Sequence, residues 1–382
     1  MAQIKVIKNC QIVLENGILW DGALIIQGDK ILDYGKERDI TFPENAEVID
    51  ANGNYVGPGF IDIHVHGGDK FESYLEVQEA CDYFLKYGET TILATPYANL
   101  TLEQWLQAIS NVREGMKTAK NLKGMYMEGP CISVKYGAEQ ESRPLKDNMP
   151  FEVYSKLIDF AKDTVKVWVV APERPDAKGF TEYARKVNPD VVFAVGHSEA
   201  TPMQIRAMGK CKPTIETHSM CATGRIPVMG GTRGYGPDEF AFKDNDVYCE
   251  LISDSFGLHV HPELQQLLIH NKGVEKVILI TDSTVTEHSN PQGLEYVEDL
   301  NFTEDGALTG SKLTLDKACR NIMQSTNCGI AQAFLMASTN LAKALGLDDK
   351  IGSIEVGKTA DLVIVDDKFN VKKVILEGEI KF

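Results

Sequence analysis

No apolar run in these 382 residues approaches the roughly 18 that a membrane-spanning helix needs. The opening residues, Met1 to Lys8, lack the uninterrupted apolar stretch of a secretory leader. Basic residues are scarce: Lys and Arg total 39 against 55 Asp and Glu, a formal charge of −16. So acidic a chain is repelled by phosphate backbones and anionic lipid, which argues against nucleic acid and membrane surfaces as partners. The eight cysteines contain no C-x-x-C pair, which excludes a zinc ribbon and a thioredoxin-like motif. A chain of this length buries a large core without disulfide staples, so the expectation is a reduced, cytoplasmic protein. Aromatic residues make up 8% and form no clustered platform, which argues against a carbohydrate-binding module.

What is present falls into two rhythms. Ile4–Lys8, Gln11–Leu14, Ala23–Gln27 and Lys30–Tyr34 are short runs of Ile, Val and Leu, punctuated by Asn16-Gly17 and Gly28-Asp29. Ala360–Val365 and Val371–Leu376 repeat the pattern at the far end. Two strand-rich ends around a long middle predict one small β-domain built from residues 1–56 and 346–382. In the middle, 57–345, eight β-like runs begin near Phe60, Thr90, Lys123, Val165, Val191, Pro213, Val247 and Lys276. Their spacing of roughly 30 residues is that of a βα unit. The segments between carry helical patterns, including Leu102–Lys117, Phe151–Ala161 and Pro262–Asn271. Eight alternations predict an α/β fold with a closed (β/α)8 barrel. The alternative, an open doubly wound sheet, lacks a glycine-rich phosphate loop after its first strand.

Catalytic groups of such barrels lie at the C-terminal ends of the strands, and polar residues concentrate there. The first run ends in His64 and His66, the third in Glu128, the fifth in His197 and the sixth in His218. The seventh leads through Ser253-Asp254 to His259, and the eighth ends in Asp282. Five of the eight histidines are in this set. Alternate residues of a strand share a face, so His64 and His66 can both point into the barrel mouth. Imidazole and carboxylate ligands suit Zn²⁺, Fe²⁺ or Mn²⁺, and a glutamate between two histidine sets can bridge two ions. Singly, each residue has a plainer reading, as a hydrogen-bonded rim histidine or a capping carboxylate.

Gly57-Pro-Gly-Phe-Ile-Asp-Ile-His-Val-His-Gly, Met127-Glu-Gly-Pro, Ala171-Pro-Glu, Gly196-His-Ser-Glu-Ala-Thr, Thr217-His, Gly257-Leu-His-Val, Thr281-Asp-Ser-Thr, Leu308-Thr-Gly-Ser-Lys-Leu-Thr and Gly352-Ser-Ile-Glu-Val-Gly-Lys-Thr-Ala-Asp-Leu occur in one order along nearly the whole chain. In that order they resemble the amidohydrolase superfamily and, within it, the N-acetylglucosamine-6-phosphate deacetylases. The resemblance implies a distorted (β/α)8 barrel with a small β-sandwich from both termini, one or two divalent ions (Zn or Fe), and a homodimer. It implies that Glu128, His197 and His218 hold one ion, and that His64 and His66 belong to members with a second. Asp282 would be the catalytic aspartate and a further metal contact. His259 would contact substrate, as would Ala138, Cys221, Ala222, Arg233 and Leu308. The implied reaction is hydrolysis of the acetamide of an N-acetylhexosamine 6-phosphate to acetate and an amino sugar phosphate.

Three segments depart from that pattern. Glu139, in Tyr136-Gly137-Ala138-Glu139-Gln140, stands where the family has a histidine that polarises the amide carbonyl. A carboxylate donates no hydrogen bond unless protonated, so the task falls to the metal or to Gln140. Cys221-Ala222 replaces an Asn-Ala pair, and the loop from Gly224 to Pro237 is unusually glycine-rich. Arg233 is the best match to the family's phosphate-binding arginine and Arg225 the second. These departures leave open the galacto epimer, an unphosphorylated sugar or a different amide. Two further readings are another amidohydrolase, acting on a cyclic amide, an acylated amino acid or a deaminase substrate, and a non-catalytic barrel scaffold. No lysine ends the strand near Glu128 to serve as a carbamylated bridge, and a scaffold has no use for six retained site residues.

Overall fold

The computed structural model describes all residues except 1–2, 138–142, 147, 227–228, 232–233 and 286–287. Both ends of the chain contribute to one eight-stranded sheet. Ile4–Leu14, Gly17–Gln27, Lys30–Lys36, Glu47–Asp50 and Tyr55–Pro58 come from the N-terminal side, and Leu362–Val365, Val371–Leu376 and Glu379–Ile380 from the C-terminal side. The two runs expected at Ile4–Lys8 and Gln11–Leu14 are a single strand. Asn9 adopts φ 51°, and the pairing with Gly17–Gln27 shifts between Ile7 and Cys10. Asparagine tolerates that left-handed conformation, so the break in hydrophobic pattern marks a bulge and not a chain reversal. Thr359 pairs with Lys30 on the outer strand, so the sheet curls over one core of Ile7, Ile12, Leu24, Ile26, Val56 and Leu362.

The middle of the chain forms the expected barrel. Phe60–Val65, Glu89–Ala94, Leu122–Met127, Val165–Val170, Val192–Val195, Ile215–Glu216, Tyr248–Leu251 and Val277–Leu279 pair in parallel, each beside its sequence neighbour. Their starts lie close to those expected from the sequence. Helices Leu102–Gly115, Phe151–Ala161 and Pro262–Lys272 occupy the predicted segments. Leu102–Gly115 begins at Thr101, which forms a capping box with Gln104. It buries Trp105, Ile109 and Val112 in the cluster that holds Ile92 and Leu122 of the strands beneath. Among the described residues no helix is long and apolar enough to cross a membrane.

Closure falls to the short eighth strand, and side chains assist it. Val65 bridges Ser283, whose carbonyl accepts the N–H groups of His66 and Gly67, each at 2.9 Å, and the N–H of Asp282 donates to the carbonyl of His64 at 3.0 Å. Deeper in the barrel, fully buried Asp62 accepts the Thr281 hydroxyl at 2.5 Å and the backbone N–H groups of Thr281 at 3.3 Å and His64 at 3.1 Å. Burial pushes the Asp62 carboxyl up to about 7 despite those bonds. After the eighth strand a hairpin, Leu300–Phe302 with Leu308–Ser311, attaches through Ser311 to Ser283. The chain then returns through Leu315–Thr326, Ile330–Phe334 and Asn340–Leu345 to the terminal sheet. Phe334 packs on Phe60 and Phe369 at that junction, and a Cβ at Gly57 would lie 2.2 Å from its ring.

The Thr281 hydroxyl is expected to matter for stability, because Thr281→Val leaves a buried carboxyl short of a donor. Unfolding in urea should show a loss of about 1–3 kcal/mol; an unchanged midpoint would mean that Asp62 does not help to close the barrel.

Candidate metal centre

In the first barrel strand Asp62 and His64, with His66 just beyond it, alternate with Ile61, Ile63 and Val65. One face of the strand therefore carries the chemistry and the other the packing. Glu128 follows the third strand directly. His197, His218 and Asp282 follow the fifth, sixth and eighth strands with φ of 45°, 30° and 47°. Such left-handed conformations cost of order 1–3 kcal/mol each and persist only where the surroundings impose them. Here they turn the chain sharply at the strand ends and bring the side chains together.

Glu128 is the common member. Its Oε1 lies 2.7 Å from His197 Nε2, 3.0 Å from His218 Nε2 and 3.5 Å from His64 Nε2, and its Oε2 lies 3.2 Å from His66 Nε2. Asp282 Oδ1 is 3.3 Å from His66 Nε2 and 3.6 Å from His64 Nε2. Two buried triads result, His64/His66/Glu128 and Glu128/His197/His218, each with ligand atoms within 4.8 Å of one another.

The outer ring nitrogens decide what these triads can hold. His218 Nδ1 faces the carbonyl of Cys221 at 3.0 Å, and His197 Nδ1 that of Tyr136 at 3.3 Å. A carbonyl only accepts, so both Nδ1 atoms carry a proton and both Nε2 atoms turn inward, 3.0 Å apart and beside a carboxylate, where they meet a proton or a metal ion. His64 Nδ1 faces the Glu250 carboxylate at 3.3 Å in the same manner, and its buried Nε2 has no hydrogen-bond partner among the described residues. Inward nitrogens crowded beside carboxylates call for a cation among them, and an outer acceptor is the usual support of a metal-bound imidazole; His64, His197 and His218 have one, whereas buried His66 Nδ1 has no hydrogen-bond partner among the described residues. The donor set fits one or two divalent ions.

Electrostatics set the rings apart: neighbouring carboxylates raise the pKa values of His64, His66 and His218 against burial, and of the four rings His197 is the one lowered. Burial works against charge on Glu128, yet His197 and His64 hold its carboxyl well below the usual carboxylate range. Burial likewise disfavours charge on His64, and the Glu128 and Asp282 carboxylates outweigh it and raise its pKa well above the ordinary value. Asp282, also buried, is kept below its ordinary value by His64 and His66. Burial lowers the pKa of His197, which favours the neutral ring a ligand requires.

The remaining expected site residues are placed unevenly. His259 lies near the mouth, its Nδ1 3.1 Å from Asp254 Oδ2 and its buried Nε2 without a hydrogen-bond partner among the described residues. Cys221 donates its thiol to the carbonyl of His259 at 3.3 Å, while burial raises the thiol pKa. Ala222 adopts φ 50° in the turn after His218. Arg225 is taken up by Asp238 at 3.4 Å and Glu239 at 3.2 Å. Leu308 packs against the Val297/Leu300/Phe302 cluster. Ala138 and Arg233, with Glu139 and Gln140, lie outside the described residues. Sequence reasoning missed Glu250, Asp62 and Tyr126, which touch the segments of the cluster from behind, and Asp254, which holds His259. Their signal was a polar side chain inside or just after an apolar strand. Tyr97 was missed as well: its ring stacks on His66 at 4.6 Å and 4°. Glu173, within the Ala171-Pro-Glu segment, anchors the turn after His197 by accepting the Ser198 hydroxyl at 2.7 Å and the Glu199 N–H at 2.8 Å.

Comparison with known proteins places this geometry among relatives of similar length. The sequence pattern described as "Amidohydrolase family" matches residues 55–381. An N-acetylglucosamine-6-phosphate deacetylase of Bacillus subtilis (strain 168) is 29% identical over 407 aligned positions, covering 100% of this chain and 98% of the relative. An N-acetylgalactosamine-6-phosphate deacetylase of Escherichia coli O157:H7 is 26% identical, covering 88% and 90%. The crystal structure of N-acetylglucosamine-6-phosphate deacetylase from Pasteurella multocida superposes with a TM-score of 0.87 at 27% identity, covering 99% of both chains.

Because both triads share Glu128, Glu128→Ala is expected to reduce bound metal to background, measured by atomic emission on protein purified without chelator. His66→Ala should spare the Glu128/His197/His218 position; equal loss in both variants would contradict two triads.

Proposed function

The chain belongs to the amidohydrolase family, and on that premise we propose that it hydrolyses the acetamide of an N-acetylhexosamine 6-phosphate, foremost N-acetylglucosamine 6-phosphate, to acetate and the amino sugar phosphate. One observation carries the reading: Glu128, four histidines and Asp282 converge at the mouth of the barrel with their inner nitrogens and oxygens facing one another. The substrate class comes from relatives that align with nearly the whole chain.

A divalent ion, when bound, lowers the pKa of water toward neutrality and polarises a carbonyl. His197, His218 and Glu128 would hold one such ion, and His64 and His66 with Glu128 a second, Asp282 adding a contact. Histidine and carboxylate donors suit Zn²⁺ or Fe²⁺. Asp282, kept ionised by the imidazoles beside it, takes the proton of the attacking water on its carboxylate and returns it to the departing amine. His259, fixed on Nδ1 by Asp254, offers Nε2 to a substrate hydroxyl. The turn at Cys221 and Ala222 frames the substrate beside His218, and Ala138, Leu308 and Arg233 complete its binding, Arg233 gripping the phosphate. The catalytic domain is 57–345, with 1–56 and 346–382 as its β-domain. Free thiols at all eight cysteines accord with a cytoplasmic enzyme, and we assign it as a homodimer.

The test is acetate release from the gluco and galacto epimers of N-acetylhexosamine 6-phosphate and from both free sugars, with metal content measured in parallel. Release from the gluco 6-phosphate is expected. Preference for the galacto epimer would move the assignment to the function named for the Escherichia coli relative, and no release from metal-loaded protein would refute the sugar phosphate. Asp282→Asn is expected to lower kcat by about 100-fold to 10⁴-fold with most metal retained; near-normal turnover would remove Asp282 from proton transfer.

A further inference from the structure

We propose that Glu250 is the positioning residue that holds ligands of both ion positions in register. It belongs to the seventh strand, Tyr248–Leu251, and neither triad includes it. Its side chain is fully buried, where a carboxylate is costly unless its contacts are fully used. Those contacts are specific. Oε2 faces His64 Nδ1 at 3.3 Å and accepts the backbone N–H of His218 at 2.9 Å. Oε1 accepts the Tyr126 hydroxyl at 2.8 Å, and that hydroxyl lies 2.8 Å from Thr217 Oγ1. Tyr126 is two residues before Glu128 and Thr217 immediately precedes His218, so one carboxylate ties together the first, third and sixth strands at their ligand-bearing ends.

Two consequences follow for the ligands. A carboxylate only accepts, so Glu250 keeps the His64 proton on Nδ1, leaves the Nε2 lone pair facing Glu128 and Asp282, and makes the ring a stronger donor to a cation. The backbone N–H of His218, just past the short sixth strand, is met by a side chain and not by a strand carbonyl. The Glu250 side chain takes that N–H, and the Glu250 carbonyl accepts the next one, from Ser219, at 2.8 Å. Glu250 thus orients one ring of the His64/His66 position and the backbone of the Glu128/His197/His218 position. A purely structural carboxylate has a different setting: Glu89, equally buried at the start of the second strand, accepts the N–H of Leu315 at 2.9 Å and contacts neither triad.

The inference rests on reading the cluster as a metal centre, and the experiment separates the two. Full-length protein stripped by chelation is titrated calorimetrically with Zn²⁺ as wild type, Glu250→Gln and Glu89→Gln. Glutamine keeps the size and one acceptor oxygen but removes the charge. Zn²⁺ binding is expected to weaken by about 10–100-fold in Glu250→Gln and to match wild type in Glu89→Gln. Unchanged affinity in Glu250→Gln, or equal weakening in both, would overturn the role of Glu250 while leaving the metal centre intact; a wild type that takes up no Zn²⁺ would remove the metal centre itself. Should Glu250→Gln not fold, wild-type protein labelled with ¹⁵N-histidine gives the same answer. With Zn²⁺ bound, the His64 Nδ1 proton should resonate far downfield and resist exchange, and a freely exchanging proton there would overturn the proposal.

Discussion

A single buried carboxylate, Glu128, facing the Nε2 atoms of His64, His66, His197 and His218, is the constraint on which the rest of the molecule depends. Buried charge is costly unless opposite charge meets it at close range. The strand ends are therefore under tight geometric control: three members of the cluster sit in the left-handed region, carbonyls and a carboxylate hold His197, His218 and His64 from behind, and the Tyr97 ring stacks on His66. A barrel suits this demand because parallel strands deliver side chains from different parts of the chain to one mouth.

Closing the barrel and building the site are the same task at the first and eighth strands. The backbone bonds that join His64, His66 and Gly67 to Asp282 and Ser283 also set the distance between His66 and Asp282. Asp62, at the base of this seam, accepts from Thr281 and from the N–H of His64. A change in the seam reaches Asp282 without touching it. The hairpin Leu300–Phe302 and Leu308–Ser311 extends the seam outward through Ser311.

Chemistry and specificity are held differently. The cluster residues stand at the ends of strands that pack on both sides, whereas the segments expected to meet the sugar and its phosphate, 138–142 and 227–233, hold no run of Ile, Val or Leu. Segments between strands tolerate changes of residue better than the strands do, and the departures at Glu139 and Cys221 both fall between strand-like runs of the sequence. This division accounts for a chain under 30% identical to its relatives that nevertheless superposes on one of them along nearly its full length.

The strand positions, the helices between them and the membership of the metal cluster were legible in the sequence, because each depends on periodicity or on residue types too unusual at a strand end to be incidental. Strand-end position named His64, His66, Glu128, His197, His218 and Asp282 together with His259, and the family resemblance set His259 apart from the other six. The residues that orient them could not be named in this way. Glu250, Tyr126 and Asp62 are ordinary polar residues within apolar runs, and nothing local states whether such a side chain closes a barrel, caps a turn or holds a ligand. Nor does the pattern around Asn9 distinguish a bulge from a turn, since both interrupt alternation in the same way. Which groups meet across the barrel, which ring nitrogen bears the proton and how far each carboxyl is displaced from its ordinary pKa are properties of contacts between strands distant in sequence. Local propensity determined the elements; only their closure into a barrel, bringing His64 within reach of Glu250 across 186 positions, decided how the site is held.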